Sequence, residues 1–429
     1  MRLYALAAAC AAVVAFVFAW LILRLSLRLR LYPKIRERDV HVSPTPRLGG
    51  VAMFLGVVAA FGAASLFSHV RLLGSPDALG RFDLIFGEPE KIWGLLGASL
   101  LIVVIGVIDD IWELEWWTKL AGQVIAGWIL ASAGTAIATV PVFGAVAILP
   151  SVVSLGITVF AVVLVMNAVN FIDGLDGLVA GVAIIANGVF FLYSFTLSVY
   201  IGQSEYFNLA ALISAILIGA CAGFLPFNLR IPPAFRPARI FMGDAGAMLV
   251  GLLMATSAIT VTTTVDTQSW GGRQLLPAFI PVLLPIAILV LPLLDFALAV
   301  IRRVRAGTSP FTADRLHLHH RLLDIGHSHA QAVAIFYAWT AVISVGFLAF
   351  IFLPWWAATI GIVAGVLVCA WATIVPLLRR EPLDPSRPRA GEPDAPEGPE
   401  HPETSRKPET PRKPETPRKP ETPRKADPA

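Results

Sequence analysis

The chain is divided into apolar stretches of about 20 residues, the length at which an α-helix crosses the hydrocarbon core of a bilayer. Eleven such stretches occur, and 56% of the 429 residues are hydrophobic while only 14% are charged. Lipid offers no partner to backbone N–H and C=O groups, so such a chain must satisfy them within helices. The sequence therefore predicts an all-α, polytopic integral membrane protein with about 11 transmembrane helices and excludes a soluble globular domain.

Each predicted span has a recognisable start. The starts lie near Tyr4, Val51, Ile92, Leu120, Val152, Leu178, Leu209, Ala247, Pro277, Val333 and Ala357. The run from Leu120 to Val169 is almost unbroken, but its length of about 50 residues fits two spans separated by a turn from Pro141 to Pro150. An odd number of spans places the two termini on opposite faces of the membrane.

Basic residues predict the orientation of the chain. They are concentrated in four loops: Arg24–Arg47, Arg230–Arg239, Arg302–Arg321 and Arg379–Arg380. Positively charged loops stay in the cytoplasm, so we expect the N-terminus outside, the C-terminus in the cytoplasm and residues 1–380 as one transmembrane domain. Residues 381–429 are rich in Pro, Glu, Arg and Lys, carry a PETPRK repeat and are predicted to form a disordered cytoplasmic tail.

Polar residues recur at every third position where the fifth predicted span ends. They are Asn167, Asn170, Asp173 and Asp176. Three residues turn a helix through about 300°, so a regular helix would spread these side chains over about half of its circumference. Gly174 and Gly177 permit a backbone break that gathers them in one place. Charge beside hydrocarbon is costly, which favours a functional site over the alternative of an ordinary polar helix end.

Three further polar clusters interrupt the apolar chain. Asp109 and Asp110 end the third span, Asp244 lies between glycines at the start of the eighth, and a group of histidines follows the ninth. The histidines are His317, His319, His320, His327 and His329, for which a plain juxtamembrane loop is the alternative interpretation. Every cluster follows an odd number of spans. All four therefore lie on one membrane face, whichever way the chain is inserted.

A divalent cation suits this set of side chains. The adjacent carboxylates of Asp109 and Asp110 repel each other unless a cation or a shared proton relieves them. Mg²⁺ takes one or two protein carboxylates and completes its shell with phosphate oxygens and water. We therefore expect Mg²⁺, with Mn²⁺ as the alternative, at a site for phosphate substrates. A soft metal is disfavoured because Cys10, Cys221 and Cys369 lie far apart within apolar runs.

Five ordered motifs resemble those of the polyprenyl-phosphate N-acetylhexosamine-1-phosphate transferase family. They are SPTPRLGG, GVIDD, NAVNFIDGLDGL, FMGDAG and PFTADRLHLHHRLLDIGHS, and they cover about residues 33 to 330. The resemblance implies transfer of a sugar 1-phosphate from a UDP-sugar to polyprenyl phosphate, giving a diphosphate-linked lipid and UMP. Leu318 interrupts the histidines, a pattern similar to the N-acetylglucosamine branch; the MurNAc-pentapeptide branch, which usually has three contiguous histidines, is the alternative.

The resemblance also implies roles for single residues. Asp244 would be the main metal ligand, with Asp109 and Asp110 as further ligands and catalytic groups beside the lipid phosphate. Phe241 would stack on uracil, a contact worth about 1 to 3 kcal/mol for other bases. The other implied contacts are Asn170, Asp173 and Asp176 toward the nucleoside and diphosphate, and His317, His319 and His320, as catalytic groups, toward the phosphates or the sugar.

Basic side chains and one acidic side chain complete this set. Arg302 and Arg303 are candidate contacts of the lipid phosphate, with topology anchoring as the alternative. Arg47, a candidate substrate-binding residue, lies in the first loop where the pentapeptide branch has a nucleotide-contacting Lys. Glu113 stands where many members of the family have a third Asp after the Asp pair.

The charge of the substrates predicts the type of reaction. The second pKa of a phosphate monoester is about 6, so the lipid phosphate is mostly a dianion at neutral pH and needs no strong base. We expect direct in-line attack of this phosphate, with Asp109 or Asp110 positioning it or taking a residual proton. A covalent intermediate on an Asp side chain is the alternative.

Two other classes of protein share some of these features. A secondary transporter of an anionic metabolite also has broken helices with carboxylates, but places them near the bilayer midplane in internal repeats. A membrane scaffold leaves the aspartate clusters unexplained. We expect an enzyme of the bacterial plasma membrane that uses UDP-N-acetylglucosamine and polyprenyl phosphate, faces the cytoplasm, performs the first membrane step of a cell-wall or surface glycan, and binds no nucleic acid. The resemblance further implies a homodimer.

Overall fold

The computed structural model describes residues 2–29, 45–70, 89–142, 145–200, 208–229, 238–264, 286–287, 289–305, 307 and 318–378. Within these ranges the chain forms twelve helices and one two-stranded hairpin. The helices are α1 (Arg2–Leu29), α2 (Gly49–Val70), α3 (Pro89–Trp112), α4 (Trp116–Ser132), α5 (Ser151–Ile172), α6 (Leu178–Tyr200), α7 (Asn208–Asn228), α8 (Gly243–Thr264), α9 (Val290–Arg305), α10 (Leu318–Ile325), α11 (His329–Phe352) and α12 (Trp355–Leu378). The strands are β1 (Thr139–Val142) and β2 (Ala145–Ile148).

Nine of the described helices are long and apolar enough to cross a membrane. The predicted all-α, polytopic class is thereby confirmed. Two shorter helices lie in the regions of two further predicted spans. Helix α4, with 17 residues, corresponds to the span predicted to begin near Leu120. Helix α9, with 16 residues, corresponds to the span predicted to begin near Pro277, a residue that itself lies outside the described residues. The total of eleven spans, the sides of the two termini and the disordered tail at residues 381–429 stay predictions.

A hairpin divides the long apolar run that begins at Leu120. Strands β1 and β2 pair antiparallel, with Thr139 opposite Ile148. The backbone N–H of Ile137 donates to Thr158 Oγ1 at 2.9 Å and so ties the hairpin to helix α5. The chain thus turns between α4 and α5, where a turn between two spans was predicted.

Helix α8 lies at the centre of the bundle and contacts α2, α3, α5 and α7. Its surface is apolar on all sides, the pattern expected of a helix surrounded by others. Small residues allow these close contacts: Gly106 of α3 faces the backbone of Ala245, and Gly251 of α8 faces the backbone of Met166 in α5. The start of α8 therefore has a fixed position relative to the ends of α3 and α5.

Candidate active site at the start of helix α8

Asp110 binds the first turn of α8. The side chain is buried, and its Oδ1 accepts a hydrogen bond from the backbone N–H of Asp244 at 3.1 Å while Oδ2 accepts one from Ala245 at 3.4 Å. The N–H groups of a first turn have no partner within their own helix, and the helix dipole favours negative charge there. The sequence motifs GVIDD and FMGD are therefore joined by direct hydrogen bonds between residues 134 and 135 positions apart.

Lys119 connects the other two predicted acidic groups. Its Nζ donates to Asp109 Oδ2 at 3.1 Å and also makes an ion pair with Asp244 Oδ2. Asp109 Oδ1 accepts from the backbone N–H of Leu114 at 2.9 Å, and Asn170 Nδ2 donates to Asp244 Oδ1 at 3.0 Å. Two carboxylates from separate helices thus share one ammonium group.

Lys119 is a functional candidate that sequence reasoning missed. It is a single basic residue in the first turns of α4, where the positive-inside rule already accounts for a lysine. The signal that could have found it is its closeness in sequence to the Asp pair, since it follows Asp109 by ten residues. The connection between α3 and α4 is short, so the start of α4 lies on the same membrane face as the end of α3, where Asp109 is.

The turn between α5 and α6 gathers part of the polar stripe, as predicted. Helix α5 ends at Ile172, and Gly177 takes a φ of +77°, which a residue with a side chain rarely adopts. Asp176 is buried, and its Oδ2 accepts from the backbone N–H of Ala238 at 3.1 Å. Tyr337 Oη donates to the Gly177 carbonyl at 2.6 Å. The turn is therefore held from two sides.

Asp173 follows the last residue of α5 and lies near charges of both signs. Burial raises the pKa of Asp173 to about 7, and the Asp110 carboxylate also raises it, while the Arg47 guanidinium lowers it. Arg47, predicted to bind substrate, therefore belongs to the same group of side chains. At neutral pH the Asp173 carboxyl is therefore partly protonated, unlike an ordinary surface aspartate.

The residues that lead into α2, with its first two glycines, pair with the loop before α8 like two short strands. The Phe241 N–H donates to the Pro46 carbonyl at 2.8 Å, the Gly49 N–H to the Phe241 carbonyl at 3.0 Å, and the Gly50 N–H to the Met242 carbonyl at 2.9 Å. Phe241 is half-buried beside this pairing. The predicted uracil-stacking residue is thus fixed through its backbone next to Asp244.

Asn167, the first member of the stripe, lies one level deeper in the bundle. Its Nδ2 donates to Gln123 Oε1 at 2.6 Å and to the Val163 carbonyl at 2.8 Å. Gln123 is buried and also contacts Met248 Sδ at 3.2 Å. These bonds join α4, α5 and α8 beneath the charged groups, so Asn167 supports the site without being part of it.

Helix α9 approaches the site through an aromatic stack. The rings of Phe171 and Phe296 stack with centroids 5.3 Å apart, and the Cζ of the buried Arg303 lies 5.5 Å from the Phe171 centroid. Phe171 directly follows Asn170, which contacts Asp244. Arg302, also predicted to bind the lipid phosphate, is half-buried on the same helix.

The predicted histidines are described only in part. His317 lies outside the described residues, and for His319 and His320 the structure describes the backbone, at the start of α10, but not the side chains. His327 is buried, with its Nε2 2.9 Å from the Thr373 carbonyl, and so binds α12. The catalytic roles of the first three histidines stay predictions.

The donor set fits a hard cation held by few protein ligands. Among the described residues, no group of three or more His, Cys, Asp or Glu side chains is arranged to hold a metal ion. Asp109 and Asp244 nevertheless direct one oxygen each at a single positive charge, the Lys119 ammonium. Mg²⁺ requires no more than one or two protein carboxylates when phosphate oxygens and water complete its shell.

The fold and the site together define a polytopic helical membrane protein with a carboxylate-rich site at one end of the bundle. Residues 92–262 match the model of glycosyl transferase family 4. The chain is 41% identical over 352 residues to the decaprenyl-phosphate N-acetylglucosaminephosphotransferase of Mycobacterium tuberculosis, covering 81% of this chain and 82% of the relative. The chain therefore belongs to the polyprenyl-phosphate N-acetylhexosamine-1-phosphate transferase family.

Two further relatives extend the comparison. The decaprenyl-phosphate N-acetylglucosaminephosphotransferase of Mycobacterium leprae is 38% identical over 384 residues, covering 89% of this chain and 92% of the relative. The undecaprenyl-phosphate alpha-N-acetylglucosaminyl 1-phosphate transferase of Escherichia coli K12 is 26% identical over 328 residues, covering 74% and 75%. Both matches cover more than two thirds of this chain and of the relative.

Proposed function

We propose that this protein transfers N-acetylglucosamine 1-phosphate from UDP-N-acetylglucosamine to polyprenyl phosphate, with Mg²⁺ as cofactor. The products are polyprenyl diphosphate-linked N-acetylglucosamine and UMP. The observation that carries the proposal is the meeting of Asp109, Lys119 and Asp244 at the start of α8. The names of the relatives support the same acceptor and sugar, and they favour neither the pentapeptide branch nor a transporter.

The proposed chemistry follows from the charges. The barrier lies in bringing an anionic lipid phosphate to an anionic diphosphate, so the site must neutralise charge and align the two groups. Mg²⁺, held by Asp244 and Asp109, would supply charge neutralisation and polarise a phosphoryl oxygen. Lys119 and Arg47 add fixed positive charge from the protein, and we infer that Asp109 orients the attacking phosphate.

The polar side chains around this centre suit the donor. Asn170 and Asp173 lie at the end of α5, and Phe241 lies in the loop before α8, three residues before the Asp244 that Asn170 contacts. Amide and carboxyl groups can bind uracil and ribose hydroxyls, and an aromatic ring can stack on the base. We infer that this side of the site holds the nucleotide, and that the site faces the cytoplasm of a bacterial plasma membrane, where UDP-sugars are made.

Release of UMP tests the proposal. Purified protein in detergent is given UDP-N-acetylglucosamine, a polyprenyl phosphate and MgCl₂, and UMP and the new lipid are measured. We expect both products in equal amounts, no product without the lipid, and none after chelation of the metal. Turnover of UDP-MurNAc-pentapeptide in place of UDP-N-acetylglucosamine would assign the protein to the other branch. Anion transport in vesicles without UMP release would favour the transporter.

A stereochemical measurement separates the two mechanisms. Direct attack inverts the configuration at the transferred phosphorus, whereas a covalent phospho-sugar intermediate on an Asp side chain retains it through two inversions. A donor with a chiral β-phosphorothioate reports the outcome. We expect inversion; retention would contradict direct attack while leaving the overall reaction intact.

A further inference from the structure

Asp295 is a fully buried aspartate that none of the preceding roles requires. It lies on α9, has no exposed surface, and its Oδ1 accepts a hydrogen bond from the backbone N–H of Leu318 at 2.8 Å. Burying a carboxylate among apolar helices is costly unless hydrogen bonds or charges compensate for the lost hydration. We therefore expect Asp295 to have a specific function at this position.

The buried face of α9 connects Asp295 with the site. Asp295, Ala299 and Arg303 recur at every fourth position and are all buried, so they lie on one face of the helix. Helix α9 packs against α5, and Arg303 lies over Phe171 at the end of α5. One helix thus contacts both the end of α5 and, through Asp295, the start of α10.

Helix α10 depends on such contacts for its position. It has eight residues, with the sequence LHHRLLDI, and a helix of this length is not stable on its own in solution. Leu318 is its first residue, so the N–H that Asp295 accepts is one of those left without a partner in the helix itself. His319 and His320 directly follow this anchored residue.

The arrangement repeats the one at α8. There, Asp110 accepts hydrogen bonds from the first N–H groups of the helix that carries Asp244. In both cases a buried aspartate from a distant helix holds the first turn of the helix that carries a motif of the site. In both cases a carboxylate also meets the positive end of a helix dipole, which strengthens the contact.

We propose that Asp295 is a positioning residue that holds α10, and with it the segment that carries His319 and His320, in the place required for sugar-phosphate transfer. It acts through the Leu318 N–H and does not touch the substrates. The role rests on the proposed function, because the segment is useful to the reaction only if its side chains serve the phosphates or the sugar. Loss of this contact lowers the fraction of protein in which the segment is correctly placed.

Two substitutions remove the hydrogen bond from opposite sides. Asp295→Ala deletes the acceptor, and Leu318→Pro deletes the donor, because proline has no N–H but is well tolerated at the first position of a helix. Leu318→Ala is the matched control, since it removes the same side chain and keeps the N–H. Asp295→Asn keeps an oxygen that can accept the bond. Full-length protein in detergent is used throughout.

Hydrogen exchange measures the contact without reference to activity. We expect faster deuterium uptake in peptides covering residues 318–325 for Asp295→Ala and Leu318→Pro, with unchanged uptake in peptides from α11. The same two variants should lose about 10- to 100-fold in kcat, the range for loss of a hydrogen bond to a charged group, while KM for UDP-N-acetylglucosamine stays within about twofold because the nucleotide side is untouched. The double variant should be no worse than either single one.

Several results would overturn the role of Asp295. Uptake in residues 318–325 that Asp295→Ala leaves unchanged would do so, as would equal behaviour of Leu318→Pro and Leu318→Ala. Inactive Asp295→Asn with normal uptake would assign the effect to charge and not to the hydrogen bond. If the unaltered protein releases no UMP from UDP-N-acetylglucosamine, the proposed function fails, and hydrogen exchange still decides whether Asp295 holds α10.

Discussion

Lys119 controls the charge balance of the site, because it is the positive group shared by Asp109 and Asp244. Lys119→Met keeps the apolar stem and removes the charge. Opposite charges about 4 Å apart attract by about 4 kcal/mol at an effective dielectric constant of 20. In the variant this attraction no longer competes with a metal, so the two carboxylates should bind a divalent cation at least about tenfold more tightly than in the unaltered protein. We expect higher Mn²⁺ affinity by electron paramagnetic resonance. We also expect about 100-fold lower kcat, because in the proposed reaction the phosphates lose the positive charge of Lys119.

Lys91→Met is the matched control for this change. Lys91 lies in the first turn of α3, the end of that helix away from Asp109. Its substitution should alter neither Mn²⁺ affinity nor kcat. Unchanged Mn²⁺ affinity in Lys119→Met would show that the metal does not use the carboxylates that the lysine contacts.

Asp173 and Asp244 should have separable functions. Asp173→Asn should raise KM for UDP-N-acetylglucosamine about tenfold or more, the effect of weakening a hydrogen bond to a charged group, with the Mg²⁺ concentration for half-maximal rate nearly unchanged. Asp244→Asn should show the reverse. Steady-state kinetics with each ligand varied in turn distinguishes them, and an Asp173 variant that mainly needs more Mg²⁺ would return Asp173 to metal binding.

Asp173 also predicts how stability depends on pH. Because burial raises its pKa to about 7 in the folded protein, the folded state holds this proton more tightly than the unfolded chain, whose Asp titrates near about 3.9. Ionisation therefore costs folding free energy that is absent below the unfolded pKa, grows as the pH rises from about 4 to about 7, and is constant above that.

Asp173→Asn removes this cost and should raise the apparent melting temperature of the ligand-free protein. The increase should be larger at pH 8 than at pH 5, as measured by tryptophan fluorescence in detergent. Asp324→Asn is the control, since Asp324 is exposed on α10. An equal increase at the two pH values would exclude ionisation of Asp173 as the cause.

Close packing of α3 against α8 is what holds the two halves of the acidic site together. A Cβ added at Gly106 would collide with the backbone of Ala245, directly after Asp244, whereas one at Gly97 on the same helix would meet nothing within 4 Å. Gly106→Ala should separate the helices, lower the apparent melting temperature and reduce kcat at least about tenfold, because small displacements at a reaction centre are costly.

Gly97→Ala provides the comparison within α3. Replacing an open helical glycine by alanine stabilises a helix by about 0.5–1 kcal/mol, so this variant should melt at the same or a slightly higher temperature and keep full activity. If both variants behave alike, backbone flexibility of α3 would be the common cause, and the contact with Ala245 would not be needed.

Local features of these elements could be predicted from sequence, but contacts between them could not. The break after α5 follows from glycine conformation, and Gly177 takes the positive φ that this requires. Which oxygens meet which donors depends on helix packing across more than a hundred residues of sequence. The hydrogen bonds of Asp110 to the first turn of α8 are an example. The bond from Leu318 to Asp295 depends on helix packing in the same way, although it joins residues only 23 positions apart.

For the molecule as a whole, the alternation of spans predicts that the acidic clusters share one membrane face. The structure brings together, by contacts or charge interactions, Asp109, Asp110, Asn170, Asp173 and Asp244. Alternation works because a helix in lipid must cross completely, whatever its detailed packing. Alternation does not show which face is cytoplasmic; that orientation is predicted from the basic loops alone.

Single-cysteine labelling tests this orientation. In a variant with Cys10, Cys221 and Cys369 replaced, one cysteine is introduced at a time at exposed positions: Ile148 in the hairpin, Trp355 at the start of α12, or Glu115 between α3 and α4. By alternation, Ile148 and Trp355 follow an even number of spans and Glu115 an odd number. With the basic loops in the cytoplasm, a membrane-impermeant maleimide should label the first two on intact cells.

Glu115→Cys should react only after the cells are permeabilised, because it lies on the same face as Asp109. Labelling of Glu115→Cys alone on intact cells would invert the orientation, moving the site away from cytoplasmic UDP-sugars and contradicting the proposed donor. Labelling of Ile148→Cys and Glu115→Cys from the same side would be more serious. It would mean that α4, with 17 residues, and the hairpin do not carry the chain across the bilayer, and the argument that all clusters share one face would fail.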